Sequence, residues 1–161
     1  MGKNSICLRK ALIEPYSRLI KLQKRFVMDE KELKLRTRKF AVDILKLVDS
    51  LPNRRSANII GGQLGRCGTS VAANYKAACR GRSHKEFTAK IGVVEEEADE
   101  STFWLDILPP SGNVTEQDIA PLLQESRELT AIFTSSSKTA KRNRRKNTKS
   151  KKPPEGKKPP N

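Results

Sequence analysis

The sequence predicts an all-α protein, an antiparallel up-down four-helix bundle with disordered basic tails. Three observations predict it. Four segments repeat apolar residues three or four apart, which places them on one face of an α-helix. Proline- and glycine-containing breaks separate these segments by only a few residues, and antiparallel packing is the economical way to join helices so closely spaced. No segment sustains the alternation of a strand.

The first segment, Glu30–Leu51, carries Leu33, Phe40, Ile44, Val48 and Leu51, broadened by Ala41 and Leu47. Asp29-Glu30-Lys31-Glu32 supplies the acidic first turn a helix start prefers, and Pro52-Asn53 stops it. The second, Ser56–Arg80, carries Ile60, Leu64, Cys67, Val71, Tyr75 and Ala78. Ser83 caps the third, with Glu86 completing a capping box. Its stripe is Phe87, Ile91, Val94, Ala98, Leu105 and Leu108, and Pro109-Pro110-Ser111-Gly112 ends it. Thr115 caps the fourth with Asp118 in the same role, ahead of Ile119, Leu122, Ser126, Leu129 and Phe133.

Charge divides the 161 residues further. The formal net charge is +15, yet residues 28–137 hold fifteen Lys and Arg against sixteen acids. The excess sits at the ends: seven basic residues against Glu14 in 1–27, and eleven against Glu155 in 138–161. The chain therefore reads as a basic N-terminal extension over 1–28, a bundle over 29–140, and a disordered Lys/Pro-rich tail over 141–161, where Lys-Lys-Pro-Pro occurs twice. Met28, directly ahead of the acidic first turn, reads as the initiator, with 1–27 an upstream reading of the gene. The body is polarised too. Residues 28–90 hold fourteen basic and six acidic side chains, whereas 91–137 hold Arg127 against ten acids. Either the two halves dock on each other or the first presents a basic face to a polyanion.

Cys7, Cys67 and Cys79 form no disulfide framework, which points to a reducing, cytoplasmic setting. No apolar run approaches the roughly 18 residues of a membrane span.

The stretch from Ile60 to Phe87 holds five glycines, two cysteines and the single histidine. It lacks the Gly-Lys-Ser/Thr of a phosphate loop and the strand and Gly-x-Gly-x-x-Gly of a dinucleotide site. Cys67 and Cys79 are twelve residues apart on one expected helix, about 18 Å along its axis, too far to share a zinc ion or a disulfide. His84 is a lone imidazole expected to face solvent. With no nucleophile, metal set or cofactor loop, no catalysis and no cofactor are expected. Gly61, Gly65, Gly68 and Ala72 instead form a small-residue stripe. Each helical glycine costs about 1 kcal/mol relative to alanine, so close approach of another helix, within the bundle or across a subunit interface, is the expected compensation. Arg66, Ser70 and Asn74 form a polar line, and Glu97, Glu100 and Trp104 share a face of the third helix. Such paired carboxylates suit acid–base or metal chemistry in principle. The preferred reading is a structural network in which Arg66 and Asn74 satisfy Glu97 or Glu100.

Several blocks together resemble one family. They include Arg36-Thr37, Phe40-Ala41, Gln63-Leu64, Arg66, Thr69-Ser70, Ala73-Asn74-Tyr75, Arg80, Ser83, Glu86-Phe87, Glu97-Ala98-Asp99-Glu100 and Trp104-Leu105. The chain is similar, over about 29–141, to the four-helix-bundle family of bacterial proteins encoded in intervening sequences of 23S rRNA genes. That family is often labelled S23 ribosomal proteins, and it includes the accessory variability proteins of diversity-generating retroelements. Cys67 departs from the usual serine, and Pro109-Pro110 from a longer helix end. The resemblance implies a ring-like homopentamer with basic surfaces contacting nucleic acid, RNA before DNA. In retroelement members it implies a reverse transcriptase partner.

Two functions follow as expectations. In the first, a nucleic-acid-binding protein, Arg36, Arg38, Lys39, Lys46, Arg54, Arg55, Arg80, Arg82 and Lys85 contact phosphates, joined by Lys141, Arg142, Arg144, Arg145 and Lys146. The tail contains no aromatic residue, so binding there would follow charge and shape, not base readout. In the second, the protein is an oligomeric interaction module whose small-residue stripe forms subunit contacts.

Overall fold

Local chemistry sets the helix boundaries. The computed structural model describes residues 29–150, with side chains as far as Arg145. The expected N-terminal extension, with Cys7 and the reading of Met28 as initiator, lies outside the described residues, as does the chain from 151. The helices are α1 (Glu30–Ser50), α2 (Arg55–Ala78), α3 (His84–Ile107) and α4 (Glu116–Ser150), with no strand among the described residues.

The chain divides into two compact units after Leu33. The described part of the first is the start of α1, where Asp29 Oδ1 accepts the Glu32 N–H at 2.7 Å and caps the helix. The second, Lys34–Asn161, holds the bundle.

Both expected capping residues do their work. Ser83 accepts the Glu86 N–H at 3.1 Å, while the Glu86 carboxylate accepts the Arg82 N–H at 2.9 Å, one residue earlier than a standard box. Thr115 and Asp118 close a full reciprocal box, at 3.3 Å and 2.9 Å. Between α2 and α3 the Gly81 N–H donates to Ala78 O at 2.9 Å. A Cβ at Gly81 would lie 3.1 Å from that same oxygen, closer than such carbons usually approach, so the tight turn favours glycine.

Helix α4 departs from expectation. It continues to Ser150, ten residues into the segment assigned to the tail. No proline or glycine interrupts the sequence between Pro121 and Pro153, and Pro121 sits early in the helix. Lys and Arg in the last turns also suit the negative end of the helix dipole.

The four apolar stripes meet in one core. Phe40 and Ile44, Leu64 and Val71, Ile91 and Leu105, and Leu129 and Phe133 are at most 1% exposed, and each such burial contributes about 1.5–3 kcal/mol. Tyr75 and Phe133 pack against each other in the core with ring centroids 5.4 Å apart and the rings tilted by 54°. Between α1 and α2 the packing depends on glycine: a Cβ at Gly68 would fall 2.8 Å from Ile44 Cγ1. Between α3 and α4 the seam is hydroxylic, with Thr102 Oγ1 2.8 Å from Ser126 Oγ and 3.3 Å from Thr130 Oγ1. Small polar side chains there let the two helices approach closely. The pairing of Arg127 with Asp106 and of His84 with Ala140 fixes α3 and α4 as antiparallel.

Candidate nucleic-acid interface

The polar line on α2 is a structural network centred on Arg66. Its Nη1 donates to Glu97 Oε2 at 3.3 Å and its Nη2 donates to Glu100 Oε1. The same Glu100 oxygen accepts the Trp104 Nε1–H at 3.1 Å. These hydrogen bonds, from Arg66 first and Trp104 second, hold the Glu100 carboxyl below its ordinary range. Glu97 moves the other way. Burial raises it, and the more distant Arg66 contact does not offset the lost solvation. Asn74 departs from its expected role: it reaches neither glutamate. Its Nδ2 donates to the Ser70 carbonyl at 3.0 Å and its Oδ1 accepts from Lys90 Nζ at 3.4 Å. Geometry explains this, because Asn74 lies two helical turns beyond Arg66 and faces an earlier turn of antiparallel α3.

Cys67 is fully buried, and burial pushes its thiol up, away from the reactive thiolate. Among the described residues, no group of three or more His, Cys, Asp and Glu is placed to hold a metal ion.

The basic residues named from the sequence separate into three places. On α1, Arg36 Nε and Nη2 donate to both oxygens of Glu125 at 2.6 and 2.8 Å, and Nη2 also donates to Glu128. Its side chain is only 23% exposed, so the guanidinium fastens α1 to α4 instead of facing solvent. Lys39 and Lys46 share Asp43. All three cations line a groove of about 860 Å³ between α1 and α4, together with Asp43, Asp118 and Glu125. Counter-charge is thus built in around them. Arg38 is exposed on α1's outer side.

Arg54 and Arg55 are exposed at the start of α2. There the Asn113 Nδ2 of the α3–α4 connection donates to Ser56 Oγ at 3.3 Å.

The third place is the opposite end of the bundle. Arg80, Arg82 and Lys85 are exposed around the α2–α3 turn. On α4, Lys138, Lys141, Arg142 and Arg145 are exposed and spaced i, i+3, i+4 and i+7, one stripe of the helix. Arg144 is already engaged, and the Lys146 side chain lies outside those described. The two basic elements are joined by His84, whose Nε2 lies 2.9 Å from Ala140 O. A carbonyl only accepts, so Nε2 carries the proton. His84 is exposed, as expected, but it holds a specific partner. No acid occurs in the sequence between Glu128 and Glu155, so α4 carries no counter-charge along this stretch. Lys141, Arg142 and Arg145 are expected from composition alone, whereas their helical spacing with Lys138 follows only once α4 continues through them.

Comparison with known proteins follows the same lines. The 23S rRNA-intervening sequence protein family matches residues 30–135. The chain is similar to a crystal structure of a protein of unknown function from the S23 ribosomal protein family of Bacteroides thetaiotaomicron VPI-5482. The two are 28% identical with a TM-score of 0.63, over 69% of this chain and 99% of that one. No curated protein matches. No helix among the described residues is long and apolar enough to cross a membrane.

Proposed function

The chain belongs to the 23S rRNA-intervening sequence protein family, and from that premise we propose that it is a non-catalytic protein that associates with nucleic acid, RNA before DNA, through charge and shape. The observation that carries this reading is the basic end of the bundle. Arg36, Lys39 and Lys46 on α1 share their groove with Asp43, Asp118 and Glu125, whereas the α2–α3 turn and the end of α4 gather cations with little counter-charge. Concentrated cations without compensation attract phosphate, and each phosphate neutralised releases counterions. Crosslinking in native cells, followed by capture of the protein and sequencing of the retained nucleic acid, tests the reading. Enrichment of structured RNA over a capture with Lys141, Arg142 and Arg145 changed to Gln is expected. Equal recovery with both proteins would contradict it.

A second reading, an oligomeric assembly module without direct nucleic-acid binding, is favoured by other features of α1 and α2. Leu35, Val42 and Leu45 on α1 and Ile59 on α2 are 43–60% exposed. A Cβ at Gly62 or Gly65 meets nothing within 4 Å, so the protomer itself does not require glycine there. A second copy seated on α1 and α2 would account for both features, in keeping with a homo-oligomer such as a pentamer. Light scattering of Gly65→Leu tests it: a smaller particle is expected, and an unchanged native oligomer would contradict it.

A further inference from the structure

We propose that the outer side of α1 is a two-fold interface, on which a second copy of this chain seats its own α1 antiparallel to the first. The inference deepens the assembly reading above and rests on it. Leu35, Arg38, Val42, Leu45 and Asp49 are all exposed and are spaced three, four, three and four, the repeat of a seam by which one helix meets another. At about 100° per residue they lie on the side of α1 turned away from Thr37, Phe40, Ala41 and Ile44, which are buried in the core. The bundle therefore does not use them. Three of the five, Leu35, Val42 and Leu45, are apolar, and an apolar stripe opposite the core is a surface for a partner.

The order of side chains along the seam identifies the occupant. From Arg38 to Asp49 the spacings are four, three and four in either direction, so the stripe is symmetric about a point between Val42 and Leu45. Turning a copy end for end about that point sets Arg38 opposite the partner's Asp49, and Val42 opposite the partner's Leu45, each twice. An ion pair then closes each end of an apolar centre. Both charges are available: Arg38 and Asp49 make no ion pair or side-chain hydrogen bond among the described residues. Their neighbours are engaged, Arg36 with Glu125 and Glu128, and Lys39 and Lys46 with Asp43. Two other pairings fit worse. A parallel one places Arg38 on Arg38 and Asp49 on Asp49, like charges in contact. An antiparallel register with Leu35 opposite the partner's Leu45 faces Arg38 with Val42 and leaves Asp49 beyond the seam. Charge therefore selects direction and register together. A partner helix of one sign would match one end of the stripe and be repelled at the other. A two-fold contact cannot close an odd ring, so within such an assembly it joins two rings.

Sedimentation velocity of the full chain, over about 1 to 100 µM protein at low salt, tests the seam with Arg38→Asp, Asp49→Arg and the double exchange Arg38→Asp/Asp49→Arg. Each single variant sets like charges against each other at both ends of the seam. It should weaken the contact by about tenfold or more, so that the particle mass halves at concentrations where the natural chain is assembled. The double exchange restores opposite charges and should return the mass of the natural chain. Circular dichroism should coincide for all four proteins, since both positions are exposed. An assembled natural chain whose mass neither single variant changes would overturn the seam while leaving the assembly reading intact. A double exchange that stays dissociated would overturn the pairing of Arg38 with Asp49. A natural chain that is monomeric throughout would overturn both this inference and the reading beneath it.

Discussion

Gly68 lies directly against Ile44: a Cβ on the glycine would sit 2.8 Å from Ile44 Cγ1 and 2.9 Å from Cγ2. Gly65, one turn away, has open space where its Cβ would be. The two substitutions to alanine should therefore have opposite signs. Gly68→Ala gains helix propensity but overpacks the α1–α2 contact, with a net cost of about 1–3 kcal/mol. Gly65→Ala gains up to about 1 kcal/mol of propensity with nothing to displace. Urea denaturation of the two variants checks this, and equal destabilisation would show that both glycines are packing positions.

Arg36 is a tether between α1 and α4. Replacing it with Gln should cost about 1–2 kcal/mol, since charge-assisted hydrogen bonds to Glu125 and Glu128 are lost from a partly exposed site. Nucleic-acid affinity should change little. Denaturation and binding on the same variant separate the two roles.

Glu97 and Glu100 face one guanidinium yet titrate in opposite directions, and the linkage differs accordingly. Glu100 is held below the usual carboxylate range. Its stabilisation is present at neutral pH and lost as pH falls through its folded value, which lies below the ordinary carboxylate range. Glu100→Gln should thus destabilise at pH 7, and the gap to the parent should close in acid. Glu97 is raised, so its favourable contribution is present below the ordinary value and lost as pH rises through the folded one. Glu97→Gln should therefore be no less stable than the parent at neutral pH. Denaturation midpoints from about pH 3 to 8 would show this; parallel curves for the two variants would refute it.

The contrast between Arg36 and Ser83 shows what the sequence reveals. Ser83 and Thr115 were legible as caps because a capping box is complete within four residues. The core stripes were legible because helical periodicity is local too. The role of Arg36 was not, since its partners lie 89 and 92 residues away and a charge pattern names no partner. The same limit misplaced Asn74, whose lysine partner depends on the α2–α3 register. At the end of α4, composition and helix signals disagreed. The scarcity of apolar residues signals disorder, whereas the absence of proline between Pro121 and Pro153 lets the helix continue.

His84 should act on the end of α4 more than on the fold. His84→Ala removes one part-buried hydrogen bond to Ala140 O, at a cost of about 0.5–1 kcal/mol. Amide exchange in α4 from Arg144 onward should accelerate while exchange in the α2 core stays slow. Uniform acceleration across the bundle would assign His84 to global stability instead.

The central claim is that uncompensated cations at the end of α4 bind phosphate. The direct measurement is the slope of log affinity against log salt for structured RNA, comparing the natural chain with one in which Lys138, Lys141, Arg142 and Arg145 are all Gln. The account predicts steep salt dependence for the natural chain and a slope flatter by roughly 2–3 for the variant. Identical slopes and affinities would contradict it.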